Sequence, residues 1–155
     1  MSTPAAAPAP PEALRLADFL PYRLSVLANR VSRALAARYA REFDLTIPEW
    51  RVMAVLGEVG VATAGAIAEA TEMDKVAISR AVARLKAAGR IAARADAGDQ
   101  RRSRLSLTPA GQVVYRNIAP LALSLEARLH AALSPAEQAG FEAALSKLDA
   151  AARDL

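Results

Sequence analysis

Leu20, Leu24, Leu27, Val31 and Leu35 recur at steps of four, three, four and four residues, the period of a single apolar stripe along an α-helix. The pattern predicts a long helix from about Asp18 to Phe43. Pro21 falls in its first turn, where a missing N–H costs no helical hydrogen bond. Thr46-Ile47-Pro48-Glu49 has the form of a capping box, in which the hydroxyl and the carboxylate each satisfy an orphan backbone donor. A second helix is expected over about 47–58, burying Val52, Val55 and Leu56.

Gly57 and Gly60 then interrupt the pattern. Thr63 is placed to cap a short helix through Ala70, and Asp74 to cap another that reaches Ala88 before Gly89 ends it. Two short helices joined by a tight turn form a helix-turn-helix candidate. Ile91 to Ala95 and Arg104 to Leu107 read as strands around the turn Asp96-Ala97-Gly98-Asp99, a two-stranded ribbon directly after the second helix. Thr108-Pro109 opens a helix over about 109–131 with an apolar row through Val114, Ile118, Leu121, Leu125 and Leu129, and Pro120 is expected to kink it. Ser134-Pro135-Ala136-Glu137 repeats the capping box, and Phe141, Leu145 and Leu148 stripe a last helix. The predicted class is mainly α with a small two-stranded wing: a winged helix-turn-helix with helices at both ends.

The 155 residues suffice for one domain with a proper core. Residues 1–17, beginning MSTPAAAPAPP, read as a flexible tail, and 18–155 as a single domain whose winged lobe spans about 46–108. Absence of cysteine removes disulfides and thiolate metal sites and fits a reducing compartment, so a cytoplasmic location is expected. The N-terminus lacks the pattern of a signal peptide, and no apolar run reaches the roughly 18–20 residues of a membrane span.

Charge changes the picture. Residues 75–104 hold nine Lys/Arg against two acids, whereas the rest of the chain holds eleven against fourteen. A basic segment on a slightly acidic body points to a polyanion-facing surface. On a helix over 74–88, Ile78, Ala81, Val82 and Leu85 share one side. Val76, Ala77, Arg80, Ala83 and Arg84 share the other, flanked by Lys75, Ser79 and Lys86. Small apolar groups and long cations on one face suit the major groove, where arginine meets guanine edges or phosphates and Val76 and Ala77 meet thymine methyls. The ribbon adds Arg94, Arg101, Arg102 and Arg104 for the minor groove or phosphates, with Asp99 spaced to pair with Arg101 and fix the tip.

LTIPEWRVMAVL (45–56), MDKVAISRAVARLKAAG (73–89) and DQRRSRLSLTPAG (99–111) resemble the MarR family of winged-helix regulators, in element order from residue 18 to 153. The resemblance implies a homodimer held by helices of about 18–43 and 109–153, reading a pseudo-palindromic operator in double-stranded DNA. It also implies a repressor released by a small ligand. It assigns Val76, Ala77, Ser79 and Arg80 to the groove-reading turn, and Asp99 and Arg101 to the wing. The chain departs from the family where Val76 and Ala77 replace the common Ser or Thr. The usual arginine four residues after the helix-ending glycine is here Ala93, with Arg94 one position later. In a strand that step moves the side chain to the opposite face.

Tyr22, Arg23, Trp50 and Arg51 lie on elements that would line an effector cleft; arginine beside aromatic rings suits an aromatic acid or an acyl-CoA type conjugate. Trp50 at a helix start is more often a packing residue. No cofactor or metal site is expected. The lone histidine, His130, has no companion ligand, and no phosphate-binding or metalloprotease motif occurs, so an enzyme is not expected. The rival reading is a helical dimeric interaction protein without DNA-binding activity.

Overall fold

Local capping chemistry sets most helix starts. The computed structural model describes residues 13–95 and 103–155. Residues 1–12, most of the expected tail, lie outside them, as does the segment 96–102 with the Asp96–Asp99 turn, Arg101 and Arg102. The elements are α1 (Leu20–Phe43), α2 (Ile47–Val59), β1 (Val61–Thr63), α3 (Ala64–Thr71), α4 (Lys75–Ala87), β2 (Ile91–Ala95), β3 (Ser103–Leu107), α5 (Pro109–His130) and α6 (Pro135–Ala152).

Complete capping boxes open α2 at Thr46 and Glu49 and α6 at Ser134 and Glu137. The side chains of Thr63, Asp74 and Thr108 accept from the backbone at the starts of α3, α4 and α5. Two boundaries differ from expectation. Helix α1 begins at Leu20 rather than Asp18, because residues 16–18 form a separate turn, with the Asp18 and Phe19 N–H groups bonded to Arg15 and Leu16. Gly57 does not interrupt α2 but lies inside it, and α5 runs on through Pro120.

The wing carries a third strand that periodicity did not reveal. The sheet order is β1-β3-β2, antiparallel throughout. Ala62, Leu105 and Ala93 stand abreast on one face, and Leu105 is buried. Alternation therefore puts Thr63, Arg104 and Arg94 abreast on the other face. The inner face closes over a core that includes Tyr39, Trp50, Met53, Leu56, Ile67, Ile78, Leu85, Ile91 and Ile118.

Against this core the two ends of the chain differ sharply. The apolar row of α5 is buried at Ile118 and half-buried at Val114, Leu121 and Leu125. No residue of α6 is buried, and Phe141, Leu145 and Leu148 are exposed. Leu20, Leu24 and Leu27 of α1 are exposed as well. These are the stripes assigned above to dimerisation.

Two close approaches require glycine. A Cβ at Gly111 would lie 1.9 Å from the carbonyl oxygen of Arg90, and one at Gly57 would lie 2.3 Å from the Tyr115 ring. The first obstacle is backbone that also accepts from the Thr108 N–H at 3.0 Å, so relief requires moving the β2–α5 junction. Gly111→Ala is expected to destabilise the fold by about 1–3 kcal/mol, read as a lower midpoint in urea or thermal unfolding. A melt that matches the parent chain contradicts this.

Candidate nucleic-acid interface

Helix α3 ends at Thr71, and Glu72 adopts a left-handed conformation with φ of 50°, positive as only that of Asp44 (47°) is among the described non-glycine residues. The Met73 N–H returns to the Ala68 carbonyl at 3.2 Å, and Asp74 Oδ1 then accepts from the Ala77 N–H at 2.8 Å to start α4. The tight turn fixes the angle of α4. Its inner side is set by Ile78, Ala81 and Leu85, all buried, with Val82 half-buried.

The opposite side presents Lys75, Val76, Ser79, Arg80 and Ala83 to solvent, while Ala77 is half-buried. Val76 is 58% exposed. Val76 is thus a β-branched apolar group left largely to solvent beside the cations Lys75 and Arg80. On the sheet, Arg94 stands directly opposite Arg104. The displaced arginine is thereby placed: Ala93 faces Leu105 and the core, and Arg94 joins Arg104 on the outer face. Asp99, Arg101 and Arg102 lie outside the described residues.

Arg84 behaves differently from Arg80. Its Nε meets Glu49 Oε1 at 2.8 Å, and the Glu49 side chain is only 3% exposed. Glu49 Oε2 accepts from the Thr46 N–H at 2.9 Å. In the sequence Glu49 has the pattern of a cap alone. Nothing in the sequence marks Arg90, whose guanidinium donates to the carbonyl of Phe43, the last residue of α1.

The expected effector residues stand on two helices, Tyr22 and Arg23 on α1 and Trp50 and Arg51 on α2. Tyr22 and Arg23 are exposed near the start of α1. Trp50 is buried between Tyr39, with ring centroids 5.8 Å apart, and Tyr115, stacked at 6.0 Å. The structure thus gives Trp50 a packing role. Arg51 is half-buried and donates to the Ser32 hydroxyl at 3.3 Å, tying α2 to α1. A cavity of about 970 Å³ lies elsewhere, between α3, α4 and the sheet, bordered by Met73, Lys75, Val82 and Leu105. Among the described residues no cluster of His, Asp or Glu is grouped to hold a metal, and no helix is long and apolar enough to cross a membrane.

A short helix, a tight turn, an outward helix with a cationic face and an adjoining three-stranded sheet define a winged helix-turn-helix protein. The MarR family model matches residues 43–102, and the chain belongs to that family of transcriptional regulators. Among solved structures, a protein described as a probable transcriptional regulator from Pseudomonas aeruginosa is 31% identical, over 86% of this chain and 99% of its own, with a TM-score of 0.73. A MarR-family transcriptional regulator from Silicibacter pomeroyi is 28% identical, over 86% and 90%, with a TM-score of 0.74. The PcaV transcriptional regulator from Streptomyces coelicolor, solved in complex with its natural ligand, is 25% identical, over 91% and 99%, with a TM-score of 0.75. No curated protein matches the chain significantly.

Burial pushes the Tyr39 hydroxyl up from 10.0 to about 12, with Arg51 opposing the shift and Glu49 adding to it. The folded state therefore holds a proton that the unfolded chain releases near pH 10. Stability conferred by neutral Tyr39 is complete below pH 10 and falls as pH rises from about 10 to about 12. Tyrosinate absorbance followed against pH should show a step near pH 12, and Tyr39→Phe should remove it. A high-pH step that survives in Tyr39→Phe would contradict this placement.

Proposed function

We propose that the protein is a sequence-specific regulator of transcription that binds double-stranded DNA as a homodimer on a pseudo-palindromic operator. The observation that carries this reading is the exposed face of α4, where Lys75, Val76, Ser79 and Arg80 stand together at the helix's N-terminal end. That end is the one a recognition helix inserts into the major groove. Arg80 is the side chain for guanine edges, Val76 and Ala77 are the contacts for thymine methyls, and Lys75 is a phosphate contact. Arg94 and Arg104 on the outer face of the sheet form the wing contact, together with Asp99, Arg101 and Arg102, which lie between the two strands in sequence. The site of action is the cytoplasm.

Dimerisation is supported by the uncovered rows of α1 and α6. A stripe of Phe141, Leu145 and Leu148 gains by leaving water, at roughly 25 cal/mol per Å², and a second copy offers the same stripe. We further propose repression relieved by a small acidic effector, an aromatic acid or an acyl-CoA type molecule, held near Tyr22, Arg23 and Arg51. The ligand complex of the PcaV regulator supports a ligand-responsive mode. The half-buried Arg51 is the natural carboxylate anchor.

Salt separates this reading from a dimeric helical protein that leaves DNA alone. Binding to duplex from the gene's own upstream region should weaken steeply with salt, log K falling by roughly 0.9 per phosphate neutralised; salt-independent or absent binding sinks the proposal. Arg80→Ala should cost about 1–3 kcal/mol on the operator and relax sequence preference. Arg94→Ala should weaken all sequences alike, and equal loss of discrimination in both variants would contradict this division of labour. A panel of aromatic acids and acyl-CoA thioesters that leaves operator affinity unchanged would remove the effector class.

A further inference from the structure

Two arginines near the C-terminal end of α4 and just beyond it, Arg84 exposed and Arg90 half-buried, make contacts with other elements of the chain. Arg84 reaches the buried Glu49 carboxylate at the start of α2, and Arg90 reaches the Phe43 carbonyl at the end of α1. Between them, buried Leu85 closes a small cavity of about 250 Å³ that Asp44, Glu49, Arg84 and Arg90 also border. The other ion pairs described, Arg15–Asp18 and Arg153–Asp149, stay within one helical turn. Arg84–Glu49 instead joins two elements.

We propose that Arg84 is a positioning residue: it serves DNA recognition through Glu49, by pinning the angle of α4 on the α1–α2 junction, and not by touching DNA. The inference rests on the DNA-binding reading above. Three observations carry it. The Glu49 carboxylate is nearly inaccessible to water, so its charge needs a cation in contact, and Arg84, whose own side chain stays 59% exposed, supplies one at 2.8 Å. The second Glu49 oxygen is held by Thr46, so the carboxylate cannot swing to follow a moving helix. The reading residues of α4 lie one to two turns away: Arg80 is four and Val76 eight residues before Arg84, about 6 and 12 Å along the axis at 1.5 Å per residue. Over those levers a tilt of roughly 10° displaces Arg80 by about 1 Å and Val76 by about 2 Å, both beyond the ~0.5 Å tolerance of a recognition site.

Direct contact and positioning predict opposite signs for one substitution. Glu49→Gln removes a negative charge while its amide oxygen still accepts from Thr46. If Arg84 met phosphates, freeing it from Glu49 would tighten binding. If the pair positions α4, Glu49→Gln and Arg84→Met should each weaken binding to a duplex selected by the wild-type protein by about tenfold. The double variant should lose little more than either alone. Affinity for scrambled duplex and the salt slope should stay at wild-type values. Thermal melts establish that each variant is folded at the assay temperature. Should Glu49→Gln fail to fold, Glu49→Asp keeps the charge, withdraws it from Arg84 by one methylene, and should give the same selective loss. Tighter or unchanged binding by the Glu49 variants, additive losses, or a salt slope reduced by about 0.9 in Arg84→Met would overturn the proposal. Absence of salt-sensitive binding by the wild-type protein would overturn the DNA-binding reading itself, and with it this inference.

Discussion

The Glu49 carboxylate is an anion almost wholly removed from water, and the arrangement of the winged lobe follows from satisfying it. An isolated buried carboxylate costs several kcal/mol, which only pairing and hydrogen bonds offset. Thr46 provides one bond from within the same helix start, and Arg84 provides the countercharge from α4. A local cap and a tertiary clasp thus share one side chain. The junction of α1 and α2 and the exposed helix α4 become a single unit, with Leu85, Ile78 and Ala81 filling the space between that helix and the core.

A second anchorage lies where α4 gives way to the sheet. The Arg90 side chain closes the end of α1, its carbonyl accepts from Thr108, and the Thr108 hydroxyl donates to the Gly89 carbonyl at 2.7 Å while accepting from Gly111 at 3.0 Å. The chain enters and leaves the wing through this one knot. Strand β1 adds a further hold, pairing with β3 beside the start of α3. The outer face of the sheet, with Arg94 and Arg104, is consequently carried on backbone tied to both α3 and α5.

Much of this was legible because it is local. Five capping side chains, at Thr46, Thr63, Asp74, Thr108 and Ser134, act within three residues and could be read directly. Alternation also sufficed to send Ala93 and Arg94 to opposite faces. What escaped is nonlocal. Three residues, Val61 to Thr63, are too few for a strand signal, and their partner strand lies some forty positions on. Gly57 reads as a breaker until Tyr115 is seen to need its space. Arg84 and Arg80 look equivalent on a helical projection, and only the fold shows a carboxylate under one of them. Trp50 and Tyr39 likewise gain their roles from α5, which supplies the stacking Tyr115.

Helix α6 is well formed, capped at its start, and buries nothing in the single chain. Its shape is encoded locally, whereas nothing else in the single chain covers its amphipathic face among the described residues. The core that ties the winged lobe to Tyr39 and Ile118 lies within one chain. In the proposed homodimer the exposed faces of α1 and α6 are covered only by association, so their stability follows mass action. Dilution of that dimer then acts on the two ends first and on the winged lobe last.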